Sequence, residues 1–497
     1  MPSAPALPRV PIDASARSRH RLSGGRRPAT RRAAGVARAL GLLGLSGIVV
    51  TTFLTVAGAA GESSQYVPGR SGGWPGWMTG PLEGLGMSLG SGTFQTLSLI
   101  MCASYLLVLA CSRALSLRAV VAAILAAHAI LLLGPPLLSQ DVFGYLGFAR
   151  LGALHGLDPY THVAAQASGD EIFWFVGWPY EHSPYGPLFT LASYATAPFG
   201  LAGGLWAFKA LAVASSLAAV AFVARAAGKL GHSRRWAAAF LGLNPVVLVL
   251  AVGGAHNDTL IVMMLAAALT LTAGASPRFR AAAAALVVGV GIKVSAGLVL
   301  AFLVLAPPRW RERRQVALAA VLSLLALGAV GLIGFGTHAL GFLNAVGEQQ
   351  QLVAVHSVPA ETARLVGLSG TPSWWRNVFA ALFVGVLVYS LWRTARGADW
   401  RVAAGWATLA LLLSTAWLLP WYAIWVLPLA AVSGDRRLRA ATLLFCAYAI
   451  LIHLPLAERL LLPARVHLRL PVPVVQRHRV DLARFQVTDD PLLDLRR

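Results

Sequence analysis

Residues 117–138, LRAVVAAILAAHAILLLGPPLL, form one apolar run with a single charge, Arg118, near its start. A transmembrane helix needs about 20 such residues to cross a bilayer. Because the run is continuous rather than alternating, it predicts a membrane helix and excludes a strand of a membrane β-barrel. The run stops at Ser139, Gln140 and Asp141, so a carboxylate stands where a membrane segment ends.

The composition of the whole chain agrees with this stretch. Of the 497 residues, 57% are hydrophobic and only 12% are charged, and the mean hydropathy is +0.67. Soluble domains carry about a quarter charged residues. Because several other apolar runs are also long enough to cross a bilayer, we predict an all-α polytopic membrane protein.

The formal net charge of +22 comes mostly from arginines in short segments that flank the apolar runs. Such flanks orient membrane helices, since cytoplasmic loops are enriched in Lys and Arg. The charge therefore does not indicate a nucleic-acid partner. The three cysteines all lie in apolar runs and predict neither a disulfide framework nor a metal site: Cys102, Cys111 and Cys446.

The positive-inside rule, applied segment by segment, predicts about eleven crossings within residues 40–456. Two long loops fall on the outer side, a first loop at 139–202 and a second loop at 337–375. Residues 139–183 hold five acids against one arginine. The predicted spans are 40–60, 93–112, 117–138, 203–224, 236–252, 259–274, 315–336, 376–394, an out-and-back pair in 402–433, and 440–456.

The two ends of the chain are predicted to be tails. Residues 1–39 are predicted to be a disordered basic tail that stays in the cytoplasm, because Pro, Ser, Gly and Arg dominate them. Residues 457–497 form an Arg-rich C-terminal tail. The crossing count places this second tail outside, against the rule, so either one span is miscounted or the tail lies at the outer interface.

Residues 281–305 require a different arrangement, because clusters of arginine stand at both ends of this apolar segment. Gly289 and Gly291 weaken a helix beside Lys293. Two pieces of about 11–13 residues would each rise roughly 16–20 Å, which is short of the ~30 Å hydrocarbon core. We therefore predict a hairpin of two partial helices with Lys293 near its tip.

The first loop carries residues suited to chemistry. Asp141 precedes Tyr145 by four positions, so both can share one face of a short helix. Asp158 and Tyr160 flank a proline and predict a turn, and Tyr185 follows in a segment rich in aromatics. Rings beside carboxylates suit a sugar, because rings cover its apolar face and acids accept its hydroxyls. They suit the aromatic belt of a membrane interface equally well.

Each candidate also has a structural interpretation. Asp141 could cap the loop helix, with Ser139 an equal capping candidate. Lys293 is less easily explained, because a membrane lysine costs about 2.5–3.5 kcal/mol on insertion scales and sits about a dozen residues from either end of its segment, too far to snorkel. A lipid phosphate would be a natural partner for its charge.

Two more polar segments can each be interpreted in two ways. In GGAHNDTL, residues 253–260, Asn257 or Asp258 could cap the following helix or bind a ligand together with His256. In LLPWYAIWVLP, residues 418–428, Trp421 and Tyr422 suit an interface belt or a binding site equally well.

These motifs occur in a fixed order: SQDVFGYLGFARLGALHGLDPY, SPYGPLF, GGAHNDTLIV, the lysine of GIKVSAG, and LPWYAIWVLP. Together they resemble the actinobacterial polyprenol-phosphomannose-dependent α-1,6-mannosyltransferases, which belong to the GT-C class of integral-membrane glycosyltransferases. The resemblance covers residues 40–455. It implies a GT-C type bundle of about 11–13 transmembrane helices with a long first catalytic outer loop.

The resemblance implies roles for individual residues. Asp141 stands where that class has its catalytic base. Lys293 matches the membrane lysine and is expected to bind the donor phosphate together with Arg150. The other matched residues are expected to bind the sugar or the acceptor: Tyr145, Asp158, Tyr160, Tyr185, His256, Asn257, Asp258, Trp421 and Tyr422.

The implied reaction transfers mannose from polyprenyl-phosphomannose to a growing cell-envelope glycan or glycolipid, of the α-1,6-mannan or lipomannan type. It would proceed with inversion at the outer face of the cell membrane. One carboxylate suffices as general base, and a phosphate leaving group needs charge stabilisation rather than an acid. No metal and no cofactor are therefore expected.

Two alternatives stay open. The first is a GT-C transferase of another lipid-linked sugar. The second belongs to a different class, a flippase or transporter of a lipid-linked sugar. A transporter should show discontinuous helices in both halves of the chain, whereas the sequence indicates one broken segment, at Lys293.

Overall fold

The structure, a computed structural model, describes residues 28–61, 66–67, 75–454 and 456. Helices make up 75% of the described residues, which contain no strand. The predicted all-α class is therefore confirmed. Residues 1–27 of the predicted N-terminal tail and the whole predicted C-terminal tail, 457–497, lie outside the described residues.

Eighteen α-helices follow one another in the described chain. They are α1 (Pro28–Ala59), α2 (Gly76–Thr79), α3 (Ser91–Cys111), α4 (Leu117–Leu133), α5 (Asp141–His155), α6 (Pro187–Tyr194), α7 (Gly200–Lys229), α8 (Arg234–Gly242), α9 (Asp258–Thr272), α10 (Phe279–Ile292), α11 (Gly297–Leu305), α12 (Trp310–Phe335), α13 (Gly341–Gln349), α14 (Val358–Leu365), α15 (Ser373–Ala395), α16 (Trp400–Ser414), α17 (Leu427–Val432) and α18 (Arg436–Leu451).

Several of these helices suit a membrane. Among the described residues, five helical spans are long and apolar enough to cross one, or six if a pair bent by 46° counts as one span. Six shorter apolar helices of 10–17 residues coincide with most of the other predicted spans. A multi-pass membrane protein is therefore indicated, while the number of crossings and their orientation stay predictions.

The quoted run forms α4, and its ends have local causes. The Ser116 hydroxyl accepts a hydrogen bond from the Ala119 amide and caps the first turn. The helix ends at Leu133, five residues before the apolar run does, because Gly134 disfavours a helix and the two prolines after it cannot continue one.

The first helix departs from the sequence prediction. It begins at Pro28, so residues 28–39, which the sequence assigned to a disordered tail, are helical. These residues are rich in Ala and Arg, which are both strong helix formers. The helix packs against α3 and α4, and this packing favours the helical form.

The predicted hairpin is confirmed. Helix α10 ends at Ile292, Lys293 is extended with φ −154° and ψ 131°, and a short turn leads into α11. A Cβ placed on Gly289 would lie 3.0 Å from the Cβ of Ala296. Seven residues of continuous helix would rise about 10.5 Å. The chain therefore folds back at Lys293.

Two further apolar segments are broken: 236–252, which the sequence predicted as a single span, and 402–433, for which it predicted an out-and-back pair. Helix α8 is followed by a π-helix, Val246–Val252, at an angle of 46°. Helix α16 is followed by a 3₁₀ segment, Pro420–Trp425, after an extended stretch that begins at Thr415. The presence of broken helices therefore does not distinguish a transferase from a transporter.

The breaks lie near one another because of how the helices pack. Helix α9 packs between α7 and α10, and the 3₁₀ segment contacts both α9 and the π-helix. This packing brings four chain ends to one region: the start of α5, the start of α9, the end of α10 and the 3₁₀ segment.

Candidate active site

A cleft of about 610 Å³, which includes space open to solvent, lies where these chain ends meet. The walls come from the first loop, the hairpin tip, the second loop and the 3₁₀ segment with the stretch before it. The lining residues are Asp141, Gly144, Phe148, Trp178, Glu181, His182, Pro184, Tyr185, Lys293, Gln349, Leu352, Trp417, Leu419 and Tyr422.

Asp141 is the first residue of α5, and its carboxylate faces the cleft with 14% of the side chain exposed. The Ser139 hydroxyl accepts the hydrogen bond of the Asp141 amide at 3.1 Å. Asp141 therefore does not supply the cap that the structural interpretation gave it. Its carboxylate remains available for another role.

The chain that leads to Asp141 is strained. Leu138 has φ +61°, and Ala255 has φ +55° beside His256. Left-handed conformations are uncommon for residues other than glycine and gather at functional sites. The Leu137 amide donates to the Gly253 carbonyl at 2.9 Å. This bond joins the segment before Asp141 to the segment before His256.

His256 lies behind Asp141 rather than in the cleft lining. Its Nδ1 is 3.2 Å from the Asp141 Oδ2, and its side chain is fully buried. The ring stacks on Trp421 with centroids 3.9 Å apart. In the described chain, neither ring nitrogen has a hydrogen bond of good geometry. The imidazole is thus a close polar neighbour of the Asp141 carboxylate.

The Lys293 side chain, at the hairpin tip, forms an ion pair with Asp258. Its Nζ lies 3.1 and 3.3 Å from the two carboxylate oxygens of Asp258. Trp425 Nε1 donates to the same carboxylate at 2.7 Å, and Asp258 is fully buried. Nζ also lies 4.3 Å from the ring centroid of Tyr422. The structure thus makes Asp258 the counter-ion of Lys293 and keeps it out of the cleft lining.

The SPYGPLF motif supports the hairpin through one glycine. The Gly186 amide donates to the Ile292 carbonyl at 2.9 Å. A Cβ at Gly186 would lie 2.5 Å from the carbonyl oxygen of Gly291, so only glycine permits this approach. Tyr185, next in the chain, lines the cleft. The motif and the lysine segment therefore act as one structural unit.

Tyr145 connects α5 to the HND motif from a buried position. Its hydroxyl donates to Asn257 Oδ1 and accepts from the Asn257 amide, both at 3.3 Å. Tyr185, Phe189 and Phe208 surround its ring edge-to-face at 5.0–5.5 Å. Tyr145, Asn257 and the buried Trp421 are therefore close to the cleft but outside its lining.

Arg150 lies elsewhere in the first loop. Its Nε donates to both carboxylate oxygens of Asp170, at 2.8 and 3.0 Å, and His155 Nε2 contacts the same carboxylate at 2.8 Å. Burial alone would raise the pKa of the Asp170 carboxyl. Hydrogen bonds from Arg150, His155 and the Ile172 amide outweigh that effect and lower the pKa.

Asp158 and Tyr160 form the predicted turn, also away from the cleft lining. Asp158 accepts from the Tyr160 amide at 2.9 Å and contacts His338 Nδ1 of the second loop at 3.0 Å. The Tyr160 hydroxyl donates to the Tyr185 carbonyl at 2.8 Å. These two residues thus support Tyr185 and connect the two loops.

The sequence did not identify part of the site. Ten lining residues were absent from the predicted set: Gly144, Phe148, Trp178, Glu181, His182, Pro184, Gln349, Leu352, Trp417 and Leu419. The aromatic composition of the first loop could have indicated Trp178. Nothing in the sequence marks Gln349, which reaches the cleft through the packing of the second loop. In the part of the chain that the structure describes, no three His, Cys, Asp or Glu side chains form a metal-binding group.

Two family models match the chain. Residues 38–309 match the family described as alpha-(1->6)-mannopyranosyltransferase, N-terminal domain, and residues 360–470 match the MptB C-terminal domain. Alpha-(1->6)-mannopyranosyltransferase A of Mycobacterium tuberculosis is 29% identical over 335 residues, which are 62% of this chain and 64% of that protein.

A protein of the same name from Corynebacterium glutamicum is 29% identical over 180 residues, which are 35% of this chain and 36% of that protein. The chain thus spans less than two thirds of the length of these curated relatives. No solved structure matches the chain.

Proposed function

Because the chain belongs to the alpha-(1->6)-mannopyranosyltransferase family, we propose that it is a membrane glycosyltransferase that transfers mannose from polyprenyl-phosphomannose. The acceptor would be a growing glycan or glycolipid of the α-1,6-mannan or lipomannan type. The observation that carries this proposal is the shared cleft, in which the Asp141 carboxylate and the Lys293 ammonium both line one cavity.

The proposed chemistry needs one base. An acceptor hydroxyl attacks the anomeric carbon and forms the new glycosidic bond, while the bond between that carbon and the phosphate oxygen breaks. The hydroxyl proton passes to the Asp141 carboxylate, and the configuration inverts. The electron pair of the broken bond leaves with polyprenyl phosphate. Since the second pKa of a phosphate monoester is about 6, this group leaves without a general acid.

Lys293 would stabilise the charge that develops on the leaving phosphate. Its contacts with Asp258 and Tyr422 support this role, because they fix the ammonium at the hairpin tip before any ligand binds. Asp258 and Trp425 would act by holding Lys293, not by touching the sugar. Arg150 would need to leave Asp170 before it could help bind the phosphate.

The remaining cleft residues suit the sugar. Tyr185 and Tyr422 offer rings in the walls beside Asp141 and Lys293. Behind them, Tyr145, Asn257 and Trp421 would keep the walls in place. Asp158 and Tyr160 would act at longer range through Tyr185. This division refines the roles that the resemblance assigned to the same residues.

A membrane assay tests the proposed activity. Membranes containing the protein are incubated with labelled polyprenyl-phosphomannose and a short α-1,6-mannoside. We expect label in an elongated mannoside and release of polyprenyl phosphate, both reduced at least tenfold in Lys293→Met because the leaving phosphate loses its charge partner. Movement of the labelled donor across vesicle membranes without a glycosidic product would instead support the transporter alternative.

A further inference from the structure

The cleft extends beyond the residues needed for the reaction. Besides Asp141, Lys293 and the two tyrosines, it is lined by Trp178, Glu181, His182, Gln349 and Trp417. These five residues come from three separate segments: the first loop, the end of α13, and the stretch before the 3₁₀ segment. The proposed reaction assigns none of them a role.

Two tryptophans pack against each other in this part of the cleft. The rings of Trp178 and Trp417 pack edge-to-face with centroids 5.7 Å apart and an interplanar angle of 79°. Both side chains are half-buried. In the described chain, the buried Nε1 of Trp417 has no hydrogen-bond partner. A buried donor without an acceptor is unfavourable, and a ligand oxygen would relieve it.

The pair joins the two walls of the cleft. On one wall, Gly177 packs directly against the Gln140 side chain, which places Trp178 beside the segment that carries Asp141. On the other wall, Trp417 precedes Tyr422 by five residues, and the Ala354 amide holds this stretch through the Ala416 carbonyl at 2.8 Å. The tryptophans therefore lie next to the reacting groups.

The polar residues at this end define the chemistry of a ligand. Gln349 offers both a hydrogen-bond donor and an acceptor, and Glu181 offers acceptors. His182 Nδ1 lies 3.6 Å from Glu348 Oε2. Among the described residues that line the cleft, Lys293 alone carries a permanent positive charge. The tryptophan end thus suits a neutral polyhydroxylated ligand with flat apolar faces, and not a second phosphate.

We propose that Trp178 and Trp417, with Glu181 and Gln349, form a subsite for the second sugar residue of the acceptor. This inference rests on the proposed function: the first acceptor sugar presents its hydroxyl to Asp141, and the next sugar packs against the tryptophan pair. The protein would therefore prefer acceptors of at least two hexose units to a single hexose.

An acceptor series tests the subsite. Initial rates are measured with one donor and with methyl α-mannoside, an α-1,6-dimannoside and an α-1,6-trimannoside. In the wild type, we expect kcat/KM to rise about tenfold from one unit to two, mainly through KM, and to change little from two to three. In Trp178→Ala this preference for the dimannoside should disappear.

A milder variant separates binding from folding. Trp417→Phe keeps an aromatic ring and removes only the indole N–H. We expect it to lower the preference for the dimannoside about 3- to 10-fold, the size of one hydrogen bond. Trp310→Ala provides the matched control, because Trp310 is 70% exposed on α12 and lies outside the cleft lining; it should keep the wild-type preference.

The outcomes separate the two proposals. Equal kcat/KM for one and two units in an active wild type, or a full dimannoside preference in both tryptophan variants, would overturn the subsite and leave the transferase intact. If the wild type transferred mannose to no acceptor in the series, the proposed function and the subsite would both be wrong.

Discussion

At the scale of single residues, the site depends on how one carboxylate is held. The Ser139 hydroxyl fixes the Asp141 backbone, and His256 contacts the carboxylate from a position without solvent exposure. Nδ1 of His256 lies 3.2 Å from Oδ2, and the other oxygen of Asp141 is left for an acceptor hydroxyl. We therefore infer that His256 is a positioning residue and does not bind the sugar.

The substitution His256→Phe tests this role. Phenylalanine can keep the stack on Trp421 but offers no nitrogen to Asp141. We expect kcat for mannosyl transfer to fall about 10- to 100-fold, as for a misplaced reacting group, while KM for the acceptor changes little. His256→Asn should recover part of kcat, since its amide can approach the carboxylate.

The exposed His232 supplies the control, because His232→Phe alters a turn between α7 and α8 away from the cleft. A rise in acceptor KM at unchanged kcat for His256→Phe would contradict the positioning role and make His256 a ligand of the sugar.

At the scale of elements, the hairpin of α10 and α11 and the start of α6 form one unit through Gly186. A Cβ at this position would meet the Gly291 carbonyl oxygen at 2.5 Å, and backbone cannot move aside as a side chain can. Gly186→Ala should therefore displace the hairpin tip and Lys293, reduce mannosyl transfer strongly, and cost about 1–3 kcal/mol of stability.

Gly385→Ala is the matched control, because no atom lies within 4 Å of the added Cβ and the residue is inside α15. Its thermal stability and activity should equal or slightly exceed those of the wild type. If Gly186→Ala were as active and as stable as Gly385→Ala, the proposed coupling between motif and hairpin would be wrong.

The start and end of α5 are held by different contacts, and one of them depends on pH. Arg150, His155 and the Ile172 amide lower the pKa of the Asp170 carboxyl. A lowered pKa in the folded state means that this carboxylate stabilises the fold fully above its ordinary pKa of about 3.9. The stabilisation is lost as the pH falls through the lower, folded-state pKa.

The thermal stability of the protein in detergent should therefore fall steeply below about pH 4. In Asp170→Asn this acid-dependent loss should be smaller, because no charge remains to be protonated, while stability at pH 7 is already reduced. The exposed neighbour Glu171→Gln should keep the wild-type pH dependence. Identical acid profiles for Asp170→Asn and the wild type would exclude this role of Asp170.

The elements also show what sequence can and cannot predict. Continuous apolar runs predict helices, and Gly289 with Gly291 predicted the break beside Lys293, because both signals are local. The π-helix at 246–252 follows Asn244 and Pro245, a pair that signals a break, but VVLVLAV itself would fit any buried helix. Residues such as Gln349 and Trp417 join the cleft only through packing between distant segments, which periodicity does not encode.

Four residues of the ordered motifs lie together in the structure. Asp141, Tyr185, Lys293 and Tyr422 all line one cleft, although 281 residues separate the first from the last. The roles were less predictable than the location. The HND motif does not indicate that His256 is a buried neighbour of Asp141, or that Asp258 is the buried partner of Lys293. Burial depends on the whole fold.

At the scale of the whole molecule, the proposed reaction requires the cleft to open toward the outer side of the membrane. The first loop holds five acids, whereas arginine clusters flank the opposite ends of the spans. In a variant without native cysteines, Glu171→Cys should react with an impermeant thiol reagent on intact cells, and Arg311→Cys should react only after lysis. The reverse pattern would invert the proposed orientation.

The molecule as a whole is proposed to have one catalytic base, and this claim has a direct measurement. Mannosyl transfer from labelled polyprenyl-phosphomannose to an α-1,6-dimannoside is compared for the wild type, Asp141→Asn and Asp399→Asn, since Asp399 caps α16 away from the cleft. We predict a loss of about 10²- to 10⁴-fold in kcat for Asp141→Asn and wild-type rates for Asp399→Asn, at equal expression. Wild-type transfer by Asp141→Asn would contradict the account.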